Sequence, residues 1–126
     1  MGQIRVAIAD DSPTFLAAAA DYVAGLPGYV LVGTAPHASQ ALALVRHAAP
    51  DVLLLDLGSA PARGFDALRE VNAFAGAPAI VAMTLFHSPE TAAAARRAGA
   101  AGLVGKDAFV SGLNHVLAAL FPARAA

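Results

Sequence analysis

The chain contains no cysteine and only one lysine among its 126 residues. Without cysteine there are no disulfide bonds, thiolate metal sites or cysteine nucleophiles, so three classes of protein chemistry are excluded at once. The lack of cysteine agrees with a reducing compartment, and no signal-peptide pattern opens the sequence. We therefore expect a cytoplasmic location.

Charged side chains are also scarce, at 13% of the chain against an ordinary share of roughly 25%. Hydrophobic residues make up 58%, and this balance excludes intrinsic disorder, which needs low hydrophobicity and high charge. The formal net charge of -1 argues against direct binding of nucleic acid, which needs a basic surface. Charged residues interrupt the apolar runs before they reach the roughly 18 residues of a membrane-spanning helix, so we expect no membrane insertion.

What the sequence does contain is a regular alternation of short apolar runs and alanine-rich helical stretches. The runs predict strands at residues 4–9, 29–35, 52–55, 79–83 and 102–105, and the stretches predict helices at 13–25, 39–48, 65–74, 90–98 and 108–120. Serine followed by proline marks the start of the first and fourth helices, and Gly99 marks the end of the fourth. Nearly continuous apolar runs are typical of strands buried on both faces. Five β–α units in a row predict a single α/β domain with a central parallel sheet.

Polar residues stand at the carboxyl ends of four of these predicted strands. Asp10 and Asp11 follow the first strand, Asp56 the third, Thr84 the fourth and Lys106 the fifth. Taken one at a time, each has an ordinary explanation as a helix cap, a turn residue or a solvated side chain. Ligands of open α/β sheets bind at this edge, in the crevice where the strand order reverses, so the set as a whole predicts a functional site.

Carboxylates at close range repel one another unless a cation lies among them. A hard divalent cation such as Mg²⁺ or Mn²⁺ takes oxygen ligands and leaves positions for water or phosphate oxygens. With one lysine as a point charge and one hydroxyl as a donor, the set matches a site that accepts a phosphoryl group on a carboxylate.

The residues at 8–13, 50–57, 82–84 and 98–107 resemble, in order and spacing, the receiver domain of bacterial two-component response regulators. Residues 84–86 and the pair Lys106 and Asp107 are similar to receivers that usually precede a helix-turn-helix output domain. The resemblance implies a doubly wound, flavodoxin-like (βα)5 fold with strand order 2-1-3-4-5. We assign residues 1–121 to this domain and residues 122–126 to a short tail.

The resemblance also implies a role for each residue of the site. Asp56 is expected to accept the phosphoryl group, and Asp10, Asp11, Asp56 and the carbonyl of Gly58 are expected to hold the metal ion. Lys106 is expected to pair with one phosphoryl oxygen and Thr84 with another.

The partners implied by the resemblance are a sensor histidine kinase or a phosphotransfer protein, and a second copy of the chain after phosphorylation. Their expected surface is the fourth helix, fifth strand and fifth helix. The domain would then act as a switch and not as an enzyme on external substrates.

Two departures from the family pattern modify these expectations. Leu103 stands where the family often has a tyrosine or phenylalanine that turns inward on activation. Gly58 and Phe86 stand at the two positions that flank the attacking water in dephosphorylation, and neither has a polar side chain. The resemblance therefore implies slow loss of the phosphoryl group.

Two other functions remain open at this point. A Mg²⁺-dependent phosphatase that forms an aspartyl phosphate usually has a second carboxylate two residues after the nucleophile, where this chain has Gly58. A degenerate receiver would serve only as an interaction module, which the complete set of Asp10, Asp11, Asp56, Thr84 and Lys106 makes less favourable.

Overall fold

The computed structural model describes residues 2–58 and 61–122 of the chain, except for the side chain of Pro61. Five strands form one parallel sheet in the order β2-β1-β3-β4-β5. They are β1 (Ile4–Ala9), β2 (Tyr29–Ala35), β3 (Val52–Asp56), β4 (Ala79–Thr84) and β5 (Gly102–Gly105). The predicted strand order is confirmed, and β1 and β3 lie side by side at the point where the order reverses.

Five helices cover the two faces of the sheet. They are α1 (Pro13–Ala24), α2 (Ala41–Ala48), α3 (Pro61–Asn72), α4 (Pro89–Ala98) and α5 (Phe109–Leu120). Helices α1 and α5 bury their apolar residues against one face, and α2, α3 and α4 bury theirs against the other. Every residue of β3 is buried, as the continuous apolar run predicted.

Local sequence explains where several helices begin and end. The side chains of Ser12 and Ser88 cap α1 and α4 by accepting hydrogen bonds from the backbone N–H groups of Phe15 and Thr91. Proline follows each serine at the first helical position, where the missing N–H costs no hydrogen bond. Among the described residues, no helix is both long and apolar enough to cross a bilayer.

The predicted boundaries of β3, β4 and the helices differ from the observed ones, mostly by one or two residues. Strands β3 and β4 each extend one residue further, so Asp56 and Thr84 are the last residues of their strands. Helix α3 begins at Pro61 and not at residue 65, and it ends at Asn72. Short 3-10 turns, Ala38–Gln40 and Lys106–Ala108, precede α2 and α5. Of the predicted tail, residues 123–126 lie outside the described residues.

Candidate functional site

Strand register brings Asp10 and Asp56 together at the carboxyl edge of the sheet. Ala9 of β1 pairs with Leu55 of β3, so the residues that follow them, Asp10 and Asp56, are neighbours. On the other side of β3, Thr84 of β4 pairs with Gly105 of β5, which directly precedes Lys106. The four residues therefore reach one edge because their strands are adjacent and in register.

Asp10 is fully buried, and both oxygens of its carboxylate have a partner. Its Oδ1 accepts a hydrogen bond from the backbone N–H of Ser12 at 2.8 Å. Its Oδ2 lies 2.8 Å from Nζ of Lys106. Removal from water raises the pKa of Asp10, and the contacts with Lys106 and Ser12 only partly oppose that effect.

Asp56 ends β3 and is almost completely buried. Its Oδ1 accepts a hydrogen bond from the backbone N–H of Gly58 at 3.0 Å and lies 3.1 Å from Nζ of Lys106. Gly58 has a φ of 74°, in the left-handed region that few side chains tolerate. The glycine thus allows the loop after β3 to turn back and present its N–H to the acidic side chain.

Asp11 is exposed at the mouth of the site, next to Asp56. A side-chain hydrogen bond with Asp56 raises the pKa of Asp11, because two carboxyl groups can share a proton but repel when both are ionised. The partial burial of Asp11 and the charge of Asp10 act in the same direction. The free site therefore holds carboxylates that disfavour one another.

Lys106 lies in the 3-10 turn after β5, and only 8% of its side chain is exposed. Burial alone would lower the pKa of this ammonium group, but hydrogen bonds with Asp10 and Asp56 outweigh it and raise the pKa. The only lysine of the chain is thus held, in its charged form, between the two buried carboxylates.

Thr84 is buried, and its hydroxyl forms a hydrogen bond within the loop that follows β4. Its Oγ1 accepts a hydrogen bond from the backbone N–H of Phe86 at 3.2 Å. Within residues 2–58 and 61–122, no hydrogen bond joins Thr84 to Asp56. The structure therefore places Thr84 at the predicted edge without bringing its hydroxyl onto the Asp56 carboxylate.

A cleft of about 470 Å³ opens beside the carboxylates, between the sheet edge and α3. Asp11, Asp56 and Gly58 are among the residues that line it, together with His37 and Arg63. The site is consequently accessible from solvent on the side of Asp11.

The residues present fit a metal ion of the hard, oxygen-binding kind. Among the described residues, ligand oxygens of Asp10, Asp11 and Asp56 lie within 4.8 Å of one another. Lys106 offers one positive charge against three carboxylates. Burial raises the pKa of Asp10 and a hydrogen bond with Asp56 raises that of Asp11, and repulsion from the charge of Asp56 adds to both effects. A divalent cation with oxygen ligands would relieve this repulsion.

Comparison with known families decides the identity of the fold. A family model described as the response regulator receiver domain matches residues 6–118. The chain belongs to this family. It is a receiver domain of a two-component response regulator, as the resemblance of the sequence motifs indicated.

Relatives with sequence or structural similarity include several kinds of regulator. A protein-glutamate methylesterase/protein-glutamine glutaminase of Agrobacterium fabrum is 31% identical over 82% of this chain and 30% of its own length. The uncharacterised transcriptional regulatory protein YxjL of Bacillus subtilis is 30% identical over 83% of this chain and 48% of its own length. The receiver chain thus spans between about a third and a half of these curated relatives.

A solved structure of a similar regulator is consistent with the motif details noted in the sequence. The crystal structure of a LuxR-family two-component response regulator from Aurantimonas is similar with a TM-score of 0.84 and 29% identity. The match covers 98% of this chain and 88% of that one. The motif details at Thr84 and Lys106 had indicated a receiver of this kind.

One residue at this receiver site, Phe15 of α1, was missed by the sequence reasoning. The Nζ of Lys106 lies 4.6 Å from the centre of the Phe15 ring. The only local signal was the position of Phe15, three residues after the capping Ser12. That spacing fixes its backbone but does not reveal which distant side chain its ring will meet.

Proposed function

We propose that this receiver accepts a phosphoryl group on Asp56 in a reaction that needs Mg²⁺ or Mn²⁺, and that the phosphorylated form presents a changed surface to a protein partner. The observation that supports this most is the position of Lys106. Its ammonium group bridges the two buried carboxylates of Asp10 and Asp56, at 2.8 Å and 3.1 Å, in a site open to solvent on one side. A purely structural ion pair needs neither the third carboxylate nor the opening.

In the proposed reaction, a carboxylate oxygen of Asp56 attacks the phosphorus of the donor. A P–O bond forms to Asp56, the bond from phosphorus to the donor's imidazole nitrogen or acyl oxygen breaks, and the leaving group keeps that electron pair. Lys106 and the N–H of Gly58 already contact Asp56, so they lie where the incoming phosphoryl oxygens need positive charge and hydrogen bonds.

We assign the metal to Asp10, Asp11 and Asp56, with the carbonyl of Gly58 as a further ligand implied by the family resemblance. When bound, Mg²⁺ would offset the negative charge of the phosphoryl oxygens. Before it binds, Lys106 keeps the two buried carboxylates compatible with folding by pairing with both.

The switch is proposed to begin at Thr84. Phosphorylation adds about -1.5 to -2 charges at Asp56 and three acceptor oxygens. The Thr84 hydroxyl would exchange its contact with the N–H of Phe86 for a phosphoryl oxygen and draw the following loop inward. The loop carries Leu85 and Phe86, which are 62% and 83% exposed, so its movement would change the apolar surface that a partner meets.

We propose a sensor histidine kinase or a phosphotransfer protein as the donor, and no catalysis by this domain on an external substrate. Phosphorylation-dependent homodimerisation and a cytoplasmic location stay predictions. The methylesterase activity in the name of one relative belongs to a protein of which this chain covers only 30%.

Binding of beryllofluoride, which mimics a phosphoryl group on a carboxylate, separates the three candidate functions. With Mg²⁺, we expect the amide NMR signals of residues around Asp56, Thr84 and Lys106 to shift in the wild type and to stay unchanged in Asp56→Asn. Rapid hydrolysis of a phosphate ester by the wild type would instead support a phosphatase. Unchanged spectra of the folded wild type at high Mg²⁺ and beryllofluoride would contradict the proposal and support an interaction module.

A further inference from the structure

The Lys106 ammonium group has three close neighbours in the structure. It forms ion pairs with carboxylate oxygens of Asp10 and Asp56. It also lies over the ring of Phe15, with Nζ 4.6 Å from the ring centre. An aromatic face attracts a cation without binding it through a directional hydrogen bond.

Phe15 belongs to a closed circuit of contacts that includes both oxygens of Asp10. Oδ1 of Asp10 accepts from the N–H of Ser12, and Oγ of Ser12 accepts from the N–H of Phe15. The ring of Phe15 then meets the ammonium group of Lys106, which returns to Oδ2 of Asp10. The capped first turn of α1 therefore sets both the position of the buried carboxylate and the position of the ring.

The ring itself is fixed from the other side by α5. Phe109 packs edge-to-face against Phe15, with centroids 5.2 Å apart and planes at 82°. Phe109 also meets the ring of Tyr22, whose hydroxyl donates a hydrogen bond to Oδ1 of Asn114 at 2.6 Å. Phe109 directly follows the 3-10 turn that carries Lys106. One short segment therefore contains both the lysine and the ring that packs against Phe15.

We propose that Phe15 is a positioning residue for phosphoryl transfer, and this inference rests on the proposed function of Asp56. Its ring closes the outer side of the Lys106 ammonium group, keeping the charge directed at the acceptor edge and away from solvent. During transfer Lys106 has to pass from the carboxylate of Asp56 to a phosphoryl oxygen. A non-directional partner allows that short movement while the contact with Asp10 continues.

The test compares phosphorylation of Phe15→Leu and Phe15→Tyr by acetyl phosphate with Mg²⁺, with the modified fraction followed by intact mass. Phe15→Leu removes the aromatic face, and we expect the second-order rate constant to fall roughly tenfold, in line with a desolvated cation–π contact. Phe15→Tyr keeps the face and should recover the rate to within about threefold of wild type. The Mg²⁺ affinity, measured without donor, should change less than about twofold in both, because the carboxylates remain in place.

A double-mutant cycle shows whether Phe15 acts through Lys106. In a Lys106→Ala background, Phe15→Leu should change the rate less than about twofold, because the group that the ring positions is missing. Phe74→Leu is the matched control, since Phe74 is also partly buried and also lies beside a cation, Arg46 at 5.6 Å, but in the turn that follows α3. It should phosphorylate at the wild-type rate.

Several outcomes would overturn the inference. A folded Phe15→Leu that phosphorylates at the wild-type rate contradicts it while leaving the role of Asp56 intact. Phe15 would act through packing alone if Phe15→Leu and Phe15→Tyr lowered the phosphorylation rate equally. The same conclusion would follow if Phe15→Leu lowered the rate as much in the Lys106→Ala background as in wild type. If Phe15→Leu lacks a cooperative unfolding transition, Phe15→Met takes its place with the same expected loss. A wild type that is not phosphorylated at all would overturn the proposed function, and this inference with it.

Discussion

At the scale of single residues, the site combines three carboxylates with one ammonium group, and its properties follow from that imbalance. Lys106 pairs with Asp10 and Asp56, while Asp11 at the exposed mouth forms its hydrogen bond with another carboxyl group, that of Asp56. The pKa of Asp11 is raised for this reason. Asp11 is thus a residue whose charge the metal-free site disfavours and a bound cation would use.

Asp11→Asn should therefore stabilise the metal-free protein at neutral pH. When folding raises the pKa of a carboxyl group, the ionised group lowers the free energy of unfolding at every pH above its folded-state pKa. This loss of stability disappears as the pH falls to the ordinary aspartate pKa near 3.8. At pH 7 without Mg²⁺, we expect Asp11→Asn to unfold at a higher urea concentration than wild type. The difference between the two midpoints should shrink as the pH is lowered toward the ordinary aspartate pKa.

Added Mg²⁺ should reverse the order by stabilising the wild type more than Asp11→Asn. Asp21→Asn serves as the control, because it removes an exposed charge from α1 outside the group of Asp10, Asp11 and Asp56. Added Mg²⁺ should not change its stability relative to wild type. An Asp11→Asn variant that is less stable than wild type at pH 7 without metal would contradict this role of Asp11.

A second residue-scale prediction concerns the lifetime of the phosphorylated form. Gly58 and Phe86 adjoin Asp56 and Thr84 through the hydrogen bonds of their backbone N–H groups, and neither offers a polar side chain to orient water. We expect wild-type phosphoprotein to keep its label for minutes or longer after the donor is removed. A lifetime of seconds would show that another group positions the water.

Gly58→Asn supplies such a polar group at a tolerable cost, because asparagine is among the few residues that adopt the φ of 74° found there. It should shorten the lifetime several-fold. Asparagine placed instead at Ala93, an exposed position on α4, should leave the lifetime unchanged.

At the scale of secondary structure, the strands were more predictable than the helices. The bounds of β1, β2 and β5 are confirmed because strands buried on both faces need uninterrupted apolar side chains. Helix α3 begins four residues earlier than predicted because Gly64 resembles a loop residue but lies inside the helix. A side chain at Gly64 would overlap the backbone of Leu57, so close packing and not a turn requires glycine there.

The end of α4 gives a direct test of a glycine that does require an unusual backbone. Gly99 has a φ of 114°, and an added Cβ would also overlap the side chain of Asn72. We expect Gly99→Ala to lower the free energy of unfolding by about 1–3 kcal/mol, mainly through backbone strain. Chemical denaturation measures this change.

Gly25→Ala at the end of α1 is the matched control. Gly25 has a φ of -91°, and its added Cβ would make only ordinary contacts, the nearest at 3.7 Å. Its stability should stay constant or rise by up to about 1 kcal/mol, because alanine reduces the freedom of the unfolded chain. Equal losses in the two variants would contradict the strain argument.

At the scale of the whole molecule, the site exists because of topology. Asp10, Asp56, Thr84 and Lys106 are far apart along the chain and meet at one edge because the order β2-β1-β3-β4-β5 places their strands side by side. The rule that strand ends of a parallel sheet share an edge made this meeting predictable. The contact between Phe15 and Lys106 was not predictable in this way, because it depends on how α1 and α5 pack against each other on one face.

The most direct test of the account is the mass of the protein after incubation with acetyl phosphate. With Mg²⁺, wild type should gain one phosphoryl group, and reduction with borohydride followed by peptide mapping should locate it on Asp56. Without Mg²⁺, or in Asp56→Asn, the gain should be absent. A folded wild type that stays unmodified, or an Asp56→Asn variant that is modified as readily as wild type, would contradict the central claim.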